Sequence, residues 1–232
     1  LLEQQFRVIR LDLPGFGLSD AEMDMVNPVD MYVRYIHAFL NQLQIKECSL
    51  IGNSLGGWIA WEYALKYPKR VQKLALIDAA GFLDEDSIPL AFKMARTPLV
   101  NRIVRFAIRK NILEQFLKEV YFDQNRVTPQ LVNRYYDLFT KEGNPEAFLV
   151  LANSKVKDRT SKLKQIKTPT LIMWGKEDQW IPVEYAYRFH QRLAQNEVII
   201  YDEVGHLPME EIPEQTAQDL TIFLKKPILT LT

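Results

Sequence analysis

Apolar and polar positions along the chain follow two alternating rhythms. Short, dense apolar runs predict strands at residues 7–13 (RVIRLDL), 48–52 (CSLIG), 71–80 (VQKLALIDAA), 169–175 (PTLIMWG) and 197–203 (EVIIYDE). Helical spacing predicts helices at 28–43, where Met31, Tyr35, Phe39 and Leu43 recur four apart, and at 55–68, closed by Pro68. Two more follow at 183–194 and 213–226. Strands that alternate with helices predict an α/β domain with a mostly parallel, doubly wound sheet covered on both faces.

Between residues 84 and 162 the rhythm changes. No strand pattern stands out, and 90–122 and 129–141 read as helical. The organisation expected is therefore a core in two parts, 1–83 and 163–232, with a helical insertion at 84–162 between them. Arg102, Arg105, Arg109 and Lys110 form a basic stretch in the insertion. An acidic substrate or anionic lipid would suit it, but a solvated helix face is the simpler reading.

At 232 residues the chain is long enough for a sizeable core. Lysine plus arginine and aspartate plus glutamate number 29 each, so no global field recruits nucleic acid or an anionic membrane. No apolar run reaches the roughly 18 residues of a membrane helix. A single cysteine, Cys48, excludes an internal disulfide and reads as a structural thiol, which fits a reducing, cytoplasmic setting. The first residues carry no initiator Met and leave room for a removed leader.

The chemistry concentrates in residues 50–61, LIGNSLGGWIAW. Gly52 and Gly57 have the spacing of a phosphate-binding loop, but Trp58 and Ile59 stand where its Lys and Ser/Thr belong. The stretch PGFGLSD opens like a dinucleotide fingerprint and puts Asp20 where the third glycine should be. Ser54 could simply cap the following helix. The remaining reading is G-x-S-x-G, with Gly52, Ser54 and Gly56 at a strand-to-helix turn. There a nucleophilic serine sits on strained backbone, and small residues two before and two after relieve the crowding.

A serine hydroxyl needs a base, and the base needs an orienting group. Of the three histidines, His37 and His190 fall within helical patterns, whereas His206 follows the last strand in a loop. The carboxyl ends of strands are where open α/β sheets keep their chemistry. Asp178, after the strand at 169–175, is the favoured acid. Glu177 beside it and Asp78, at the end of an earlier strand, are its rivals.

With these segments in order, the chain resembles the α/β-hydrolase fold superfamily over nearly its whole length. RVIRLDLPGFGLSD is similar to the family's fourth strand and the loop behind it. LIGNSLGGWIAWEYALKYPKRVQKLALID looks like its nucleophile elbow, and TPTLIMWGKEDQWIP and VGHLPMEEIPE like its acid and histidine segments. The resemblance implies that the helical insertion is a cap over the pocket, and that the backbone N–H of Leu55 forms half of an oxyanion hole. It also places the second donor in a loop upstream of residue 1, so an N-terminal piece of roughly three strands is expected to be missing from the chain.

The implied activity is hydrolysis of a carboxylic ester through an acyl-enzyme on a small-molecule substrate, with no metal or organic cofactor. GNSLGG also looks like the elbow of carbon–carbon bond hydrolases of aromatic degradation, although Leu207 stands where those relatives commonly have Trp. Ser54 argues against the dehalogenase and epoxide hydrolase branches, which use Asp. A ligand-binding receptor built on the same pocket is the alternative from a different class.

Overall fold

The computed structural model describes residues 1–22, 27–84, 93, 95–97 and 109–228. Four strands, β1 (Cys48–Asn53), β2 (Val71–Ile77), β3 (Thr170–Gly175) and β4 (Asn196–Tyr201), form one parallel sheet in the order β1-β2-β3-β4. Asn53 pairs with Ile77, Ile77 with Met173, and Gly175 with Tyr201. Parallel strands in this register end along one edge. The residues just beyond them, Ser54, Asp78 and the loops leading to Asp178 and His206, are thereby gathered there without being close in sequence.

Alternate residues of a strand face opposite ways, and both faces of the inner strands β2 and β3 are buried. Leu74, Leu76, Ile172 and Trp174 join one core with Trp61, Tyr63 and Phe189; Ala75, Ile77, Leu171 and Met173 join the other with Leu220 and Phe223. The first face is covered by α1 (Pro28–Gln42), α2 (Leu55–Lys66) and α6 (Glu184–Arg192), the second by α8 (Pro213–Lys225), which follows the short α7 (Pro208–Glu211). Continuous apolar strands read as runs rather than alternations for this reason.

Two local features seat the flanking helices. Asn27 caps α1 by accepting from the Asp30 N–H, with Pro28 at the first helical position. At the other end of the fold, the buried Lys73 ammonium donates to the backbone carbonyls of Phe223, Leu224 and Lys226. A cation there satisfies carbonyls that the end of α8 leaves unpaired and complements the helix dipole.

Three expectations are corrected. Residues 7–13 carry no strand: they run as irregular backbone, with Val8, Ile9 and Leu11 exposed. A strand needs a hydrogen-bonded neighbour, and β1, beyond which the sheet does not continue among the described residues, pairs only with β2. On α1 the buried hydrophobic residues are Val29, Met31, Tyr32, Val33 and Leu40, so Met31 of the expected stripe faces the core whereas Tyr35 and Leu43 are exposed. Both sets satisfy helical spacing, and only packing against α2 chooses between them. Cys48 is half-buried rather than enclosed, and burial pushes its thiol pKa up, which makes it a poorer nucleophile.

Among the described residues the segment from 109 to 162 contains no strand. It holds α3 (Lys110–Val120), α4 (Pro129–Phe139) and α5 (Asn144–Asn153). Leu117, Val120, Tyr121, Val127 and Val132 give it a small core of its own. Of the basic stretch, Arg102 and Arg105 lie outside the described residues. Lys110 donates to Asn133 and sits over the Tyr136 ring, so it ties α3 to α4.

Candidate active site

The site is built on a strained turn. Ser54 joins β1 to α2 at φ 52°, ψ −118°, a backbone conformation that non-glycine residues rarely adopt. Its N–H donates to Ile77 and its carbonyl accepts from Ala80 and Trp58, so backbone bonds from both neighbouring elements hold it there. The hydroxyl does not cap α2. Leu55 is the first residue of that helix, and its N–H has no intrahelical partner to give up.

Crowding at the turn is relieved differently from the expected pattern. A Cβ on Gly52 would lie 2.2 Å from the Gly56 carbonyl oxygen, and one on Gly57 2.5 Å from the Ala79 Cβ. A Cβ on Gly56 would meet nothing within 4 Å. The tight positions are therefore 52 and 57, because α2 crosses the end of β2 at Gly57 and turns Gly56 outward.

His206 and Asp178 are brought together by the edges of β3 and β4. His206 Nδ1 lies 2.7 Å from Asp178 Oδ2, with His206 3% and Asp178 7% exposed. Asp178 Oδ1 accepts from the backbone N–H of Trp180 at 2.7 Å and of Ile181 at 3.0 Å. Both oxygens are thus acceptors, which puts the proton on Nδ1 and leaves the Nε2 lone pair as the basic one. The Trp180 ring lies 5.6 Å from the imidazole.

The other candidates do different work. Glu177 braces the loop by accepting from the Val204 N–H at 3.1 Å. Asp78 is fully buried, and its Oδ1 accepts from the Gly175 N–H at 2.9 Å. His37 stacks on Tyr67 at 4.0 Å, and His190 Nδ1 lies 2.6 Å from Asn196 Oδ1; both sit away from this edge. Asp78, Asp178 and His206 each place one polar atom within 4.8 Å of the others. That closeness follows from a hydrogen-bonded pair: Nδ1 carries a proton, and so offers no lone pair to a cation.

Two residues that sequence reasoning passed over hold the parts in register. Asn53 Nδ2 donates to the carbonyl of Ile77 at 3.2 Å and to that of His206 at 3.0 Å, which ties the elbow to the histidine loop. Glu211, 3% exposed, accepts from the N–H of Gly205 at 2.7 Å and of Phe122 at 2.9 Å. His206 N–H in turn donates to the Val120 carbonyl at 2.8 Å. The end of α3 therefore grips the histidine loop from two sides. No spacing rule announces such contacts, because each joins residues brought together only by the fold.

Ser54 and Leu55 line a cavity of ≈ 730 Å³. Trp58, Phe82, Leu151, Val156, Trp180 and Tyr185 make its wall mostly apolar. Arg96, Ser154 and Lys155 add polar groups. No helix among the described residues is long and apolar enough to cross a membrane.

Comparison with known proteins agrees with this architecture. The family model for the alpha/beta hydrolase fold matches residues 1–213. A 2-hydroxy-6-oxononadienedioate/2-hydroxy-6-oxononatrienedioate hydrolase of Paraburkholderia phymatum is 30% identical over 223 residues, covering 94% of this chain and 76% of that protein. A thermophilic esterase from Thermogutta terrifontis superimposes with TM-score 0.81 at 27% identity, over 98% of this chain and 83% of the other. The meta-cleavage product hydrolase of Pseudomonas fluorescens, at 22% identity, shares the fold with TM-score 0.81, over 96% of this chain and 81% of its own. With a strained strand-to-helix turn at Ser54, a buried Asp178–His206 pair and a family match over residues 1–213, the chain belongs to the α/β-hydrolase fold family.

Proposed function

We propose that the protein is a serine hydrolase that cleaves a carboxylic ester of a small or medium apolar substrate, with Ser54 as nucleophile, His206 as base and Asp178 as the orienting acid. The observation that carries the reading is the 2.7 Å contact between His206 Nδ1 and Asp178, buried at the strand edge that also presents Ser54 in its strained turn. His206 Nε2 takes the Ser54 proton as Oγ attacks the substrate carbonyl, and Asp178 stabilises the imidazolium that forms. The Leu55 N–H faces the oxyanion. The imidazolium then protonates the leaving alcohol, and the freed base activates water to release the acyl group.

The decisive experiment is turnover of short-chain aryl esters by the parent protein and by Ser54→Ala, with a serine-directed phosphonate as label. The variant is expected to lose both turnover and labelling. Turnover retained by Ser54→Ala would overturn the assignment.

A second reading, cleavage of a carbon–carbon bond in a vinylogous diketone acid, is favoured by one specific feature. Arg96 and Lys155 put two cationic side chains on the wall of an otherwise apolar cavity, and a carboxylate-bearing substrate would use them. The relative from Paraburkholderia phymatum is named for such an acid. Comparing kcat/KM for aryl esters with that for a vinylogous diketone acid separates the two. A preference for the acid that disappears in Arg96→Ala and Lys155→Ala would assign the second.

A further inference from the structure

Asp78 is a buried carboxyl group that the proposed reaction leaves unused. It stands directly beyond β2, fully buried, in a left-handed backbone conformation at φ 43°. An aspartate there costs conformational energy, and burying its carboxyl costs more, so the fold spends stability to place this group where it is. Its Oδ1 is held by the Gly175 N–H at 2.9 Å. Its Oδ2 is buried and has no hydrogen-bond partner among the described residues, and polar atoms of Asp78, Asp178 and His206 lie within 4.8 Å of one another.

Two carboxylates so close and so deeply buried do not both ionise. Asp178 already accepts three N–H bonds, from Trp180, Ile181 and His206, which stabilise its charge. Asp78 has a single N–H, and the charges that press on it, Asp178 and Glu211, are both negative. The other groups facing it are the His206 ring and the Tyr201 phenol, whose hydroxyl donates to Asp219. Burial and the Asp178 charge hold the Asp78 carboxyl well above the usual carboxylate range.

We propose that Asp78 is a positioning residue for the same reaction: a carboxylic acid that keeps its proton and directs it as a hydrogen bond onto Asp178. The donated bond fixes the Asp178 carboxylate against rotation and moderates the negative charge that His206 feels. This inference rests on the assignment of Asp178 and His206 above, but the state of Asp78 can be read without any turnover.

Difference infrared spectroscopy of the full chain at neutral pH, parent minus Asp78→Asn, is expected to show loss of one protonated carboxylic acid carbonyl band, well separated from the carboxylate bands. Loss of carboxylate intensity alone would overturn the proposal, whether or not the protein turns over esters. The functional arm compares Asp78→Ala with Asp78→Asn on aryl esters, each checked for its melting transition. Asp78→Ala is expected to lower kcat about tenfold with little change in KM, the size of one hydrogen bond to a charged group. It should also move the acid limb of the kcat/KM profile to higher pH, since an undamped Asp178 holds the imidazolium more tightly. Asn, a neutral donor of the same shape, should restore most of the rate and the parent profile. An acid limb displaced to lower pH in Asp78→Asn would mean that a charge had been removed, and would overturn the assignment. Loss of turnover in Asp78→Asn as well as Asp78→Ala would overturn the positioning role, whereas a parent that turns over no ester yet shows the acid band would count against the reaction and leave the proton on Asp78 established.

Discussion

The side-chain amide of Asn53 donates to the backbone carbonyl of His206 across 3.0 Å, between residues 153 apart in the sequence. The same amide donates to Ile77, so one side chain spans the edge from β1 to the loop after β4. The residue before Ser54 thereby ties that turn to the His206 loop.

Replacing Asn53 with Ala removes both bonds while leaving Ser54, Asp178 and His206 in place. Misplacement of a base by a fraction of an ångström is costly, and kcat for an aryl ester is expected to fall about tenfold, with KM changed less. Steady-state kinetics beside a melting curve checks this. An unchanged kcat would show that the histidine loop holds its place without the strap.

The strain at Ser54 makes an opposite prediction for stability. Glycine adopts φ 52° at no steric cost, so Ser54→Gly is expected to stabilise the fold by about 1 kcal/mol while abolishing turnover. Chemical denaturation of the two proteins measures it, and a loss of stability would show the turn to be unstrained.

Glu211 accepts from Gly205 and Phe122, and its removal leaves the buried Gly205 N–H and the part-buried Phe122 N–H without that partner. Glu211→Ala is expected to destabilise the protein by about 3 kcal/mol, at a cost of ~1–3 kcal/mol for each unsatisfied group. Because these bonds join α3 to the histidine loop, amide exchange should rise at Gly205 and Phe122 before it rises in the sheet. Exchange that rises uniformly would count against a local clamp.

The buried acid at Asp78 sets the direction of a pH effect on stability. Its carboxyl is raised in the folded state by burial first and by Asp178 second, whereas in the unfolded chain it titrates near about 4. Over the interval between, the native state binds more protons than the unfolded one, so this group's contribution is full at low pH and is lost as pH rises. Relative to Asp78→Asn, the parent is therefore expected to lose stability as pH climbs through and above the carboxylate range. Denaturation curves for both proteins across that range test it; a difference that stays flat with pH would contradict the buried acid.

Much of this arrangement was legible in the sequence because it depends on local periodicity. The apolar runs at 48–52, 71–80, 169–175 and 197–203 became the four strands, each within a few residues of its expected span. Ser54 between a strand and a helix, and His206 and Asp178 beyond later strands, followed from the rule that parallel sheets gather their functional groups at one edge. The run at 7–13 misled for a tertiary reason: apolar residues form a strand only where a partner's backbone lies alongside.

The residue types and the order of the elements determined the class of fold and nominated the serine, the acid and the histidine. Tertiary structure decided which acid meets the histidine, since position along the chain favours Asp178 but leaves Glu177 and Asp78 as rivals. It chose Asp178 by giving it the Trp180 and Ile181 N–H groups and the His206 ring, set Glu177 against Val204, and sealed Asp78 behind them. It also recruited Asn53 and Glu211, whose partners lie far away in sequence. Local patterns fix which groups can reach an edge, whereas hydrogen bonds between distant loops fix which of them meet.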